Sequence, residues 1–161
     1  MSNTQICCPK FNVAKWDNVT HEWQNKPFIY ESIPQLFHIP FPPMIGWKIT
    51  KMWNIAERAM ATLPDKSETL ILFYDPHAFK SEIYLSVTCH IPGANNVTIS
   101  GRFFSKVFDG AYNAIPQFIN EMNEYLKSQK LVAKKYYVHY AYCPKCSKKY
   151  GNNYIILFAE V

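Results

Sequence analysis

Apolar residues follow two rhythms along this chain. Over residues 46–62 Ile49, Met52, Trp53, Ala56 and Met60, followed by Leu63, recur at the 3.6-residue spacing of an amphipathic helix, and Pro64 ends it. Residues 111–129 repeat the rhythm with Ile115, Phe118, Ile119, Met122, Tyr125 and Leu126. Pro116 falls in the first turn there, where its missing amide costs no helical hydrogen bond. A period of two governs residues 82–91. Ile83, Leu85, Val87, Cys89 and Ile91 face one side, which assigns Cys89 to the core, and Glu82, Tyr84, Ser86, Thr88 and His90 face the other. Further strands are predicted over 36–41, an edge strand closed by Pro42 and Pro43, and over 68–75, 97–108 with a bend at Gly101, 136–142 and 154–161.

The resulting order is β-α-β-β followed by β-α-β-β. Trp47 and Tyr112 open the two helices at corresponding positions, and Trp53 matches Phe118 at the same offset. The expectation is an α+β fold of duplicated βαββ units, residues 34–92 and 97–161. They form an antiparallel-dominated sheet, put at eight strands, with two helices on one face and a cleft where the units meet. Residues 1–33 contain Pro9, Pro27 and several Asn. They read as an irregular N-terminal arm, packed on the 34–161 domain through Trp16, Trp23, Phe28 and Tyr30, because a disordered tail would not carry two Trp.

Composition narrows the function. Of the 161 residues 48% are hydrophobic and 18% charged, enough apolar surface for one cored domain. Aromatic residues make up 16%, and such rings serve cores and ligand clefts equally well. The net charge of +5 comes largely from late lysines, Lys127, Lys130, Lys134, Lys135, Lys145, Lys148 and Lys149. Arg, which dominates base and phosphate contacts, occurs only at 58 and 102, so nucleic acid is discounted as a partner. No apolar run approaches the ~20 residues of a membrane span, and the start MSNTQICCPKF lacks the pattern of a signal peptide. Five Cys, an odd number, then favour reduced thiols and a cytoplasmic location. There is no GxSxG nucleophile motif and no GxxxxGK phosphate loop.

The tract GRFFSKVFDGAY, residues 101–112, followed by an amphipathic helix resembles the GyrI-like small-molecule-binding domain. Cys7-Cys8-Pro9, Lys80-Ser81-Glu82, Val107-Phe108-Asp109-Gly110 and the tract from Cys143-Pro144-Lys145-Cys146 to Asn153-Tyr154 resemble a stand-alone branch of that family, often labelled as hydrolases. The resemblance implies the duplicated βαββ fold and a cleft for hydrophobic, drug-like ligands. In some stand-alone members it also implies hydrolysis of strained electrophiles by an acidic residue and a tyrosine. Where many members carry an acid in the penultimate strand, Tyr140 stands here, and a phenol with a pKa of ~10 is no carboxylate base.

Three functions stay open. The first is a stand-alone binder of small hydrophobic, aromatic or amphipathic molecules. Trp47, Trp53, Phe104, Tyr112, Tyr140 and Tyr142 are its candidate ligand residues, although Trp53 equally suits the core. The second is a hydrolase of reactive small molecules using Glu82 as base and Tyr140 as hydroxyl donor. As an alternative, Glu82 is a strand-end carboxylate paired with a lysine. The third is a zinc- or thiol-dependent protein. Zinc would gather Cys7, Cys8, Cys143 and Cys146, although adjacent Cys7 and Cys8 are poorly spaced as two ligands. A redox reading puts the CxxC at the start of a helical turn ending at Gly151. The remaining reading is a tight loop packing the arm. No cofactor is required by the first two functions.

Overall fold

The computed structural model describes residues 8–36, 39–40, 42–77 and 80–161. Among them are seven strands rather than the eight expected, together with four α-helices, in an α+β arrangement. The chain divides into two compact units, one of Glu22–Gly101, the other of Arg102–Val161 together with the chain up to His21. Among the described residues no helix is long and apolar enough to cross a membrane.

The first unit contains most of β1 (Val19–Leu36), β2 (Ile39–Pro40), α2 (Pro42–Arg58), β3 (Ile71–His77), β4 (Lys80–Ser86) and the start of β5 (Asn96–Asp109). β4 is its central strand, antiparallel to both β1 and β3. Ile83 and Leu85 from β4, with Ile29 and Ile33 from β1, bury against Met52 and Ala56 of α2. The second unit holds the helix α1 (Val13–Trp16), the rest of β5, α3 (Ile115–Ser128), β6 (Lys135–Tyr140), α4 (Pro144–Tyr150) and β7 (Tyr154–Glu160). Here β7 is central, antiparallel to β5 and β6. Phe104, Phe108, Ile155 and Leu157 bury against Phe118, Met122 and Leu126 of α3.

Four expectations need correction. Residues 19–33 are not an irregular arm, because β1 runs through them and pairs Phe28 to Pro34 with Ser86 to Lys80. The strand expected over 36–41 lies partly outside the described residues, and Leu36 pairs with Ile39 at the end of β1. α2 stops at Arg58, not 62. Met60 takes a left-handed φ of 53° and the Ala61 amide reaches back to the Ala56 carbonyl, so Met60 leaves the predicted stripe and is exposed. β4 ends at Ser86, which puts Cys89 in an exposed turn instead of the core.

Candidate functional site

Alternation along β4 sends Ser81, Ile83 and Leu85 to one side, where Ile83 and Leu85 join the α2 core, and Lys80, Glu82 and Tyr84 to the other. The antiparallel register brings Tyr30 opposite Tyr84 and Ser32 opposite Glu82 on β1, and Leu72 and Tyr74 opposite the same two residues on β3. An acidic group thus stands on an aromatic face. The Tyr84 hydroxyl donates a short hydrogen bond to Glu82 Oε2, while Lys80 Nζ lies 3.1 Å from Oε1, so each carboxylate oxygen has its own partner. The Tyr84 ring is held by Phe28, edge-on at 6.4 Å, and by Tyr30, tilted at 5.9 Å. Tyr84 is buried, yet 17% of the Glu82 side chain stays accessible.

Across the β1–α2 packing, Glu31 accepts from Lys51 at 2.8 Å and Lys48 at 3.0 Å. Burial disfavours its charge, but the two lysines outweigh burial and hold its carboxyl below the ordinary value. The cavity beside it, about 110 Å³, is lined by Tyr30, Glu31, Lys51, Met52 and Asn95 among others. It is smaller than the roughly 300 Å³ at which pockets for drug-sized ligands begin.

The second unit holds the other predicted residues. Tyr112, 45% exposed, meets Tyr140 edge-on at 5.2 Å. Burial, then the Cys143 thiolate charge, raises the Tyr112 pKa. Phe104 is buried and stacked on Tyr125 at 5.2 Å. Tyr142 is buried as well, stacked on Tyr150 at 4.6 Å, with its hydroxyl accepting from the Phe11 amide at 2.8 Å. In the first unit Trp47 is 60% exposed beside Lys48 and Lys51. Trp53 packs against the core and donates from Nε1 to Glu57 at 2.7 Å.

Sequence reasoning put Tyr84 on the face of Glu82 but did not single it out as a site residue. The spacing of two along one strand was the available signal. For the thiols, Cys8, Cys143 and Cys146 converge, their sulfurs all within 4.8 Å of one another, whereas Cys7 lies outside the described residues.

The bacterial hydrolase family matches residues 1–161, the full sequence. The chain belongs to that family. No curated protein matches it. Among solved structures, the EcmrR C-terminal domain is similar with a TM-score of 0.64 at 11% identity, over 90% of this chain and 96% of that one. A hydrolase from Listeria innocua is similar with a TM-score of 0.58 at 9% identity, covering 89% and 91%. An uncharacterized conserved protein from Listeria innocua gives 0.60 at 9% identity over the same shares. At these identities the likeness is one of fold, which this bacterial hydrolase family member shares with all three.

Proposed function

We propose that this chain hydrolyses strained or otherwise electrophilic small molecules, aromatic or amphipathic in character, on the β4 face that carries Glu82 and Tyr84. The observation that supports this reading most directly is the hydrogen bond from the Tyr84 hydroxyl to the Glu82 carboxylate. Membership of the bacterial hydrolase family agrees with it. For a three-membered cyclic ether the step balances as follows. A water oxygen bonds to the ring carbon and the C–O bond opens. Glu82 takes the proton of the attacking water, and the Tyr84 hydroxyl, turned from Glu82 to the substrate, gives its one proton to the departing oxygen. The pair is left as carboxylic acid and phenolate, and one proton crossing the same hydrogen bond restores both. The half-buried ring of Tyr30, beside Tyr84, offers an aromatic substrate its contact surface.

The same face suits a second reading, a binder of hydrophobic or amphipathic molecules without turnover, favoured by the Tyr30 ring on that face. We take the two runs of strand, helix, strand, strand as copies of one unit, as in the GyrI-like domain, and the chain as cytoplasmic.

The test is a panel of aryl epoxides, with diol formation followed by chromatography. Glu82→Gln and Tyr84→Phe should each lower kcat/KM by roughly a hundredfold or more, the scale of positioned acid–base groups. Full turnover in Glu82→Gln sinks the proposal. Full turnover in Tyr84→Phe removes that hydroxyl as the donor. Ligands that raise the melting temperature but yield no product leave binding as the function.

A further inference from the structure

The second unit gathers three thiols from two distant parts of the chain. Cys8 precedes α1, Cys143 is the residue before α4, and Cys146 lies in the first turn of α4 and is buried. Their sulfurs lie within 4.8 Å of one another. Four thiolates at about 2.3 Å around Zn²⁺ are about 3.8 Å apart, so a closure of about 1 Å brings this set to bonding geometry. The surroundings also suit thiolates. The Cys143 backbone amide donates to Cys8 Sγ at 3.4 Å, a contact that strengthens when the sulfur is anionic. The chain that delivers Cys8 is held independently of any metal: the Tyr150 hydroxyl donates to the Cys8 carbonyl at 3.1 Å, the Phe11 amide to the Tyr142 hydroxyl at 2.8 Å, and the Phe11 ring meets Tyr154 at 5.5 Å. Gly151, with φ 76°, ends α4 in the left-handed conformation and lets the chain turn back into β7.

We propose that Cys8, Cys143 and Cys146 form a binding site for a thiophilic d¹⁰ cation, Zn²⁺, with a fourth position left for an exogenous ligand. Soft thiolates with tetrahedral spacing select this ion over hard cations. Binding releases the three thiol protons, leaving an anionic complex. The metal pins the segment from Cys8 to Phe11 onto the connection between β6 and β7. It uses none of the residues assigned to hydrolysis, so its fate and theirs are separable.

The reduced, metal-stripped chain is titrated with Zn²⁺ against a chromophoric chelator, and in parallel with Co²⁺. One equivalent should bind, the cobalt form should show thiolate-to-metal charge-transfer absorption, and exchange of the Phe11 and Cys143 amide hydrogens should slow on loading. Cys8→Ser and Cys143→Ser, neither of them fully buried, should each weaken binding by roughly a hundredfold or more. Cys146→Ser removes a buried group and serves only if it stays folded. Cys89→Ser, in an exposed turn of the first unit, should bind as the parent does. Absence of binding in the folded reduced chain overturns the proposal. So does unchanged affinity in Cys8→Ser and Cys143→Ser, or a disulfide between two of the three sulfurs as the stable form with no metal uptake.

Discussion

Single residues in this protein act through partners that the one-dimensional pattern only half reveals. Glu31 shows this with a measurable consequence. Its carboxyl is held below the ordinary value because Lys51 and Lys48 outweigh the burial that opposes its charge. A carboxyl with a lowered folded pKa contributes stability that is complete above its unfolded value, near 4.5, and is lost as pH falls through the folded value. Glu31→Gln should therefore lower stability by about 1 kcal/mol at pH 7, modest because Lys51 is well exposed. The gap to the parent should close as the solution is acidified. Urea midpoints for the two chains at a series of pH values check this, and a gap independent of pH contradicts it. Of the pair proposed for the site, Glu82 was singled out from its place at the head of an apolar strand. Its partner Tyr84 was legible only as a residue on the same face, because its hydrogen bond depends on side-chain torsions that spacing does not encode.

Elements with strong internal periodicity were readable. The stripes of α2 and α3 bury the expected residues, Met52 and Ala56 in one, Phe118, Met122 and Leu126 in the other. The end of α3, Ser128, falls within one residue of the expected 129, whereas that of α2 was missed, and both helices close by contacts between turns. Leu131 N reaches Leu126 O after a left-handed Lys130, as Ala61 N reaches Ala56 O after Met60. β1 was hidden for a different reason. Its first half is polar and contains Asn25 in a left-handed conformation and Pro27, both of which read as loop. The strand is instead held by partners remote in sequence, among them Ser100, whose hydroxyl accepts from the Asn25 amide at 2.8 Å. The connection from β5 to α3 gives a prediction at this scale. A Cβ on Gly110 would lie 2.8 Å from Phe118 Cζ, and that ring is stacked on Phe108 at 4.7 Å and buried. The ring must shift against its stack on Phe108, so Gly110→Ala should destabilise by about 1–3 kcal/mol. In Phe118→Leu the same change should cost measurably less. Equal costs in both backgrounds, by thermal melts, would remove the steric explanation.

At the scale of the whole chain, the division into units is not the one contiguous sequence suggests. The stretch up to His21 belongs with Arg102–Val161, although some 80 residues lie between them. A reading along the chain placed Trp16 in an irregular arm packed on the domain, because a disordered tail would not carry two Trp. In the structure Trp16 is 7% exposed, meets Phe158 edge-on at 6.0 Å and His21 at 5.5 Å, and its carbonyl accepts the hydroxyl of Ser105 at 2.6 Å. Ser105 is fully buried, and its oxygen also lies 2.8 Å from His21 Nε2, so this hydroxyl depends on the N-terminal segment for its partners. Asp17 adds to the junction by accepting the Val107 amide at 3.0 Å. Trp16→Ala should then act as a core truncation, with a loss of about 3–5 kcal/mol from cavity and transfer effects together. For a chain of this size that is a fall in melting temperature of about 6–20 °C. Trp23→Ala supplies the comparison. Trp23 is only partly buried, its ring 6.2 Å from Phe28, and its loss should cost markedly less. If both variants melt alike and close to the parent, the segment adds little to the fold's stability. If Trp16→Ala alone falls steeply, the segment around Trp16 is part of the second unit's core.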